Sequence, residues 1–406
     1  MPSIIIFLFL LLAPLNAALT FDNNYEKEVQ ILESFDIEPS FLNERYFIKL
    51  SEYFRKEYQQ KRFFKAMNDA YIFLPHVKEM ISQSGIPTAF LYLAMAESNF
   101  STRAYSRKKA SGLWQFMPAT ARIYGLRIDS YVDERRDLIK STEAAIKYLK
   151  HAHKRFGKWY LAALAYNCGE GRVSRAIKRA GTDDLNVLLN ARKKYVPRES
   201  RNYIRKILAL ALMANDESFL VKAEFDHLMN RANAYSLSTV YVPKGERLEH
   251  IAKSIEMKHE DLKALNRHLR YDFVPPYGDK YAVYIPYIKL ADFKLSYKPS
   301  AKQSYYVHKV KKGDSLYVIG RKYGVPYRMI KDFNRLKSNR LSINQKLVIP
   351  KTNNINIKSK QNYKVRRGDT LEKIARRYDM SVDRLMKLNT LKSSSIRTGA
   401  KLVVFN

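Results

Sequence analysis

Apolar residues recur at helical spacing through the first half of the chain. "YEKEVQILESF" and "RYFIKLSEYFRKEYQQKRFFKAMNDAYIFL", between about residues 22 and 75, predict helices, and the pattern continues over about 76–215. Local punctuation places some of the ends. Pro87 suits the first turn of the helix that runs through "FLYLAMAES". Pro118 suits the start of "PATARIYG", with Gly125 as its cap. "STEAAIKYLKHAHKRFG" is expected to open on a capping serine or threonine and to close on Gly157. "WYLAALAYN" is apolar on every side and stops at Gly169 and Gly171, and "RNYIRKILALALMAND" is the last helix of this unit.

From about residue 239 the pattern becomes a repeat. "VPKGERLEHIAKSIEMKHEDLKALN", "VKKGDSLYVIGRKYGVPYRMIKDFN" and "VRRGDTLEKIARRYDMSVDRLMKLN" share a basic residue and glycine before an acidic residue, then a leucine, then a closing asparagine. The leucines are Leu248, Leu316 and Leu371, and the asparagines Asn266, Asn334 and Asn389, each pair 18 residues apart. A short β-like run follows each: "YAVYIP", "KLVIP" and "KLVVF". Each copy therefore predicts strand, helix, helix, strand. The first copy is the most degenerate and carries an insertion, "LRYDFVPPYGDK"; "KTNNINIKSKQ" is a polar linker between the last two.

Composition narrows the partners. The 406 residues carry a formal charge of +34, and residues 301–406 hold 26 Lys and Arg against 6 Asp and Glu. Such a tail seeks polyanions: nucleic acid, anionic lipid or an acidic wall polymer. One cysteine, Cys168, excludes a disulfide framework or a cysteine-based zinc site within the chain. The run Ile4 to Leu12, followed by Asn16-Ala17-Ala18, has the length and small-residue flank of a secretory leader and is too short to span a bilayer, although its n-region has no Lys or Arg. We expect a signal peptide over 1–18 and export to the periplasm or cell envelope. No cysteine stands near the cleavage region, so lipid anchoring is not expected.

Glu97 stands out because it ends an apolar helix. Apolar surroundings and the negative end of the helix dipole both disfavour its charged form and raise its pKa. A carboxylic acid still protonated near neutral pH is what a general acid needs to protonate a leaving oxygen. Three other segments carry matching chemistry. "SGLWQFMP" presents Gln115 beside aromatic and Met side chains, which suits an N-acetyl sugar; "LAYNCGEGRV" sets Tyr166 and Asn167 before glycines; "PRESRNYIRK" adds Tyr203.

The repeat resembles the LysM module, a small βααβ domain that binds N-acetylglucosamine-containing chains such as peptidoglycan and chitin. The helical half resembles the family 1 lytic transglycosylases: their E-S, G-L-[MIW]-Q and A-Y-N motifs stand here as Glu97-Ser98, Gly112-Leu113-Trp114-Gln115 and Ala165-Tyr166-Asn167. The resemblance implies a multidomain α+β chain, with an all-α lysozyme-like catalytic domain followed by LysM modules. Its expected boundaries are an N-terminal helical extension over 19–75, the catalytic domain over 76–218, a degenerate LysM-like module over 239–287, and LysM modules over 304–351 and 361–406. It implies cleavage of the bond between N-acetylmuramic acid and N-acetylglucosamine in peptidoglycan, with Glu97 as acid and then base. The sugar's own 6-hydroxyl acts as nucleophile and leaves 1,6-anhydro ends. Ser98, Gln115, Met117, Tyr166, Asn167 and Tyr203 are expected around the substrate, with no cofactor, no metal and a monomeric chain.

Rival readings are weaker. A lysozyme would use water at the same site, and ordinary glycosidases generally need a pair of carboxylates, whereas Glu170 is the one other acid close to these motifs in sequence. A non-catalytic wall-binding protein would not need Glu97-Ser98. A nucleic-acid binder has only the charge in its favour. Cys168 has no matched base and reads as a packed thiol. His151 and His153 stand at i and i+2, which point apart on a helix, unlike zinc helices. Trp114 and Trp159 offer faces for sugar rings, with Trp159 read as core.

Overall fold

The long helix Arg198–Asn215 is the element around which the helical half is assembled. The computed structural model describes residues 23–129, 131–222, 237–275, 278–300, 305–334, 336, 338–350, 360–366, 368–378, 380, 382–391 and 393–405. The expected leader and most of the linker at 351–361 lie outside them. By contact the chain divides into two units. One comprises the described residues of Met1–Tyr241, Ala252–Arg270 and Ala282–Tyr297; the other comprises those of Val242–Ile251, Tyr271–Tyr281 and Lys298–Asn406.

The first unit contains α1 (Asn23–Ser34), α2 (Arg45–Phe54), α3 (Glu57–Asp69), α4 (Leu74–Gln83), α5 (Leu91–Ser98), α6 (Pro118–Ile123), α7 (Leu138–Phe156), α8 (Trp159–Cys168), α9 (Glu170–Ala180), α10 (Leu185–Leu188), α11 (Arg198–Asn215) and α12 (Glu217–Lys222). α11 packs on α5, α2, α8 and α1. Leu32, Phe35, Phe41 and Phe47 of the N-terminal helices share one buried cluster with Phe90, Leu93, Leu149, Leu161 and Ile204. The N-terminal extension is thus part of the same core, where each fully buried Leu or Phe contributes about 1.5–3 kcal/mol. α8 buries Tyr160 to Ala165 without interruption, which is why its sequence shows no polar face.

Several ends fall where sequence places them. Pro118 is the first residue of α6. Gly157 closes α7 in the left-handed conformation, at φ +74°. Two differ. α7 begins at Leu138, capped by the Asp137 carboxylate, which accepts from the Ile139 and Lys140 N–H groups. Ser141 and Thr142 are buried inside the helix instead of opening it. The carboxylate satisfies two orphan N–H groups and also complements the helix dipole. Pro87 precedes a 3-10 turn, Thr88–Phe90, and α5 starts only at Leu91.

The repeats have the expected strand, helix, helix, strand order. Strands β1 (Leu237–Pro243) and β2 (Lys280–Pro286) flank helices Leu248–Ser254 and His259–Leu265. β3 (Tyr305–Lys309) and β4 (Lys346–Pro350) pair antiparallel around Leu316–Tyr323 and Tyr327–Phe333. β5 (Lys360–Lys364) and β6 (Lys401–Phe405) do the same around Leu371–Arg377 and Val382–Leu388. The recurring leucine opens the first helix each time and is buried. The recurring asparagine recurs for a plain physical reason, since an amide offers donor and acceptor together. Asn334 donates to the Ile330 and Val348 carbonyls and accepts from the Val348 N–H. Asn389 does so with Leu385 and Val403, and Asn266 with Leu262 and Tyr284.

Asn334→Ala strips both strand-closing bonds from Val348. The second LysM module is expected to lose on the order of 2–4 kcal/mol. Amide hydrogen exchange should rise across Tyr305–Pro350 while exchange in α7 and α11 stays unchanged.

Candidate active site

α5 is apolar until its last turn, and the chain leaves it through Asn99 in the left-handed conformation, at φ +50°. Glu97 therefore sits among the unsatisfied carbonyls of a helix C-terminus. Two groups from α11 answer it. The Tyr203 hydroxyl donates to Glu97 Oε1 at 2.6 Å, and Lys206 Nζ donates to the Ala96 carbonyl at 2.7 Å. Removal from water pushes the Glu97 carboxyl up to about 7, against the downward pull of the Tyr203 hydrogen bond and the Lys206 charge. Burial, then the Glu97 charge, holds the Tyr203 hydroxyl well above its ordinary pKa, so Tyr203 acts here as a donor. Burial lowers the Lys206 amine while Glu97 opposes the shift.

The glycine-entered loop lies against this helix end. Ser98 Oγ donates to the Leu113 carbonyl at 2.7 Å. Tyr166, on α8, donates its hydroxyl to the Trp114 carbonyl at 2.7 Å, and its ring meets Tyr148 and Phe116 edge-on. The negative charge of Glu97 is among the causes that raise the Tyr166 hydroxyl pKa, after burial. Gln115 has φ +50°, and its Nε2 donates to the Gly112 carbonyl at 2.8 Å. Gly112 cannot carry a side chain: a Cβ there would lie 1.7 Å from the Arg135 carbonyl oxygen. Asn167 Oδ1 accepts from Ser200 Oγ at 2.7 Å, and Met117 is 42% exposed.

Hydrogen bonds thus join Glu97 to Tyr203, and Ser98 and Tyr166 to the Gly112–Gln115 loop, and the two sets meet where Glu97 and Ser98 adjoin in the chain. Asn167 is tied to the first turn of α11 instead, and Met117 stands exposed at the loop's exit. Trp114 offers no face to a sugar: it is fully buried, with Nε1 donating to Thr142 Oγ1 at 2.9 Å. Trp159 stacks on His153 at 3.8 Å between ring centroids and packs against Phe90. Burial raises the Cys168 thiol, which disfavours a reactive thiolate. Glu170 is held by Arg155 at 2.7 Å, with His151 at 3.7 Å.

Lys206 and Ser200 are not singled out by the sequence reading. Both lie on the inward stripe of α11 with Tyr203, at i+3 and i−3, and that spacing is the signal that could have found them. Arg135 escapes for a different reason. It is a charged residue in a charged run, yet it is buried, pairs bidentately with Asp133 and donates to the Lys109 and Phe116 carbonyls. Nothing local announces that.

Comparison with known proteins identifies the domains that carry these residues. A transglycosylase SLT domain matches residues 77–188, LysM domains match 308–350 and 363–405, and the LysM-like domain of lytic transglycosylase MltD matches 236–302. The chain is a lytic transglycosylase with LysM peptidoglycan-binding modules. In particular, it is similar to the membrane-bound lytic murein transglycosylase D of Escherichia coli (strain K12), 28% identical over 349 residues that span 80% of this chain and 74% of the relative. The peptidoglycan transglycosylase gp16 of Escherichia phage T7 is 36% identical over 121 residues, 29% of this chain and 9% of its own. The cell wall-binding protein YocH of Bacillus subtilis (strain 168) is 35% identical over 95 residues, 23% of this chain and 32% of its own. The solved structure of the soluble lytic transglycosylase Slt70 from Escherichia coli covers 36% of this chain and 25% of its own at 24% identity, with a TM-score of 0.30, too low to carry an argument.

The raised Glu97 pKa has a stability consequence with a definite sign. The unfolded carboxyl loses its proton near 4.5 and the folded one near 7, so stability falls as pH rises through that window and stays lower above it. The cost is at most on the order of 3 kcal/mol, less for the part of the group that meets solvent. Glu97→Gln should therefore melt higher than wild type at pH 8 and close to it at pH 4, as thermal unfolding at the two pH values would record.

Proposed function

We propose that Glu97 is the single acid/base of a peptidoglycan lytic transglycosylase that cleaves the MurNAc-β-1,4-GlcNAc bond. Glu97 donates its proton to the bridging oxygen, and the bond from that oxygen to the anomeric carbon breaks. The muramic 6-hydroxyl oxygen then bonds to that carbon, its proton passes to the Glu97 carboxylate, and a 1,6-anhydro ring remains. The acid is thereby regenerated without water. The observation that carries this reading is a partly buried carboxyl with a pKa of about 7, held by Tyr203 at one oxygen. Among the described residues no second carboxylate bonds to it. Glu199, whose charge raises its pKa slightly, is surface-exposed on α11. An intramolecular nucleophile removes the need for the second carboxylate that hydrolases of this kind use.

Tyr166 lies near the reacting centre in this reading, with Ser98 and Gln115 shaping the loop above it and Met117, Asn167 and Tyr203 completing the substrate surroundings. A helical extension over 19–75 completes the core of the catalytic domain over 76–218, and the modules run over 239–287, 304–351 and 361–406, behind a leader at 1–18. The enzyme is a monomer of the cell envelope, on the periplasmic side. Similarity to a membrane-bound murein transglycosylase and the basic, LysM-bearing tail support that location. No described helix is long and apolar enough to cross a membrane.

Mass spectrometry of muropeptides released from purified peptidoglycan tests the chemistry. Wild type should release anhydro ends, and Glu97→Gln should release none. Reducing ends would mean that water is the nucleophile. The rate should fall about tenfold per pH unit above pH 7, as Glu97 loses the proton it must donate.

Linked weak modules raise the local concentration of the catalytic domain on a polymer. Ending the chain at about residue 300 should weaken retention on insoluble sacculi more than it slows cleavage of short soluble glycans; equal losses would refute the tether.

A further inference from the structure

Among the positions at which the first repeat departs from its sisters, two stand out against its closing asparagine. Two residues beyond the closing asparagine stand Leu336 and Leu391 in the later modules, each packed against its own module's core, but His268 in the first. The strand residue clasped by that asparagine is Val348 or Val403 in the later modules, but Tyr284 in the first. Both departures face one group of the catalytic half. The Tyr284 hydroxyl donates to the Asp137 carboxylate, at 2.8 and 2.9 Å from its two oxygens, and His268 Nδ1 lies 3.5 Å from Oδ2. Asp137 is the buried cap of α7.

Backbone pairing continues the contact. The Asp133 N–H donates to the His268 carbonyl and the Arg270 N–H to the Tyr131 carbonyl, each at 2.8 Å, with Val132 bridged to Leu269 between them. Leu269 and Arg270 open the insertion that the sister modules lack. Leu237, Leu265 and Tyr284 join the apolar cluster of the catalytic helices. The strap they grip, residues 131–137, carries Arg135. Its guanidinium holds the Lys109 and Phe116 carbonyls, and its own carbonyl fills the space that Gly112 leaves open. The loop so held presents the Leu113 carbonyl to Ser98 and the Trp114 carbonyl to Tyr166.

We propose that the first LysM-like module serves the catalytic half as a positioning wall: His268, Arg270 and Tyr284 lock the 131–137 strap, which sets the Gly112–Gln115 loop against Glu97. A module that binds polymer elsewhere in the chain has here been turned inward to hold the site. The inference rests on the reading of that loop and Glu97 as the catalytic site.

The test uses the full chain with two separate substitutions, Tyr284→Phe, which keeps the ring and removes the hydroxyl, and His268→Leu, which installs the sister residue. Each should raise amide hydrogen exchange in residues 131–137 and 109–116. Each should lower kcat on short soluble glycan strands about tenfold, with KM and retention on insoluble sacculi unchanged. Val348→Ala in the second module should change neither kcat nor exchange in the strap. Unchanged kcat in both variants overturns the proposal, whatever the exchange. So does lost sacculus retention with kcat intact, which would make the module a tether. If wild type cleaves no glycan at all, the catalytic reading fails instead, and exchange in the strap still reports whether the module grips it.

Discussion

Glu97 occupies a place where a carboxylate is poorly accommodated: the carbonyl end of an apolar helix, next to the serine that holds the Gly112–Gln115 loop. The 2.6 Å hydrogen bond from Tyr203 is what makes the position tolerable, and it does so without neutralising the group. A full ion pair would drive the pKa well below neutral, and no partner at all would drive it higher. One phenol from α11, with Lys206 spent on the neighbouring Ala96 carbonyl, leaves the carboxyl near 7. The rest of the helical half follows from that requirement. α11 must lie against α5 to deliver both groups, and the N-terminal helices and α8 complete the core that holds α11 in place.

The loop opposite Glu97 has no regular structure to define it. It is defined by what its carbonyls accept: Ser98 at Leu113, Tyr166 at Trp114, Arg135 at Phe116. Buried carbonyls of an irregular segment need partners, and here each partner belongs to a different element. The same loop has a glycine where the Arg135 carbonyl passes and a buried tryptophan pinned to Thr142 of α7. Rigidity at the site is thus borrowed from the helices around it. A buried Asp133–Arg135 pair, costly by itself, is satisfied because its remaining donors are used on that loop.

Much of this is legible in the order of residues alone. The repeats are legible because the same packing problem is solved three times, with a leucine and an asparagine 18 residues apart. Glu97 is legible because an acid that ends an apolar run is chemically conspicuous. The face that Trp114 offered to a sugar in the sequence is closed in the fold, since burial depends on which helix lies above a residue and not on its neighbours in sequence. The start of α7 is placed too late by sequence for a related reason. Asp137, Ser141 and Thr142 are all capable caps, and only packing, which buries the latter two inside the helix, selects among them.

Sequence by itself determined the order of parts: a helical half that ends a helix on an acid, then strand–helix–helix–strand repeats on a basic tail. Periodicity, caps and recurring residues are local, and local signals survive in one dimension. Tertiary structure alone decided that Tyr203 and Lys206 reach back across more than a hundred residues to Glu97 and its helix end, that Arg135 is buried, and that Tyr284 and His268 face Asp137. Those contacts join residues far apart in the chain. Taking those charged and polar groups out of water costs free energy, which their mutual hydrogen bonds offset only once the fold has brought them together, and no single segment encodes that.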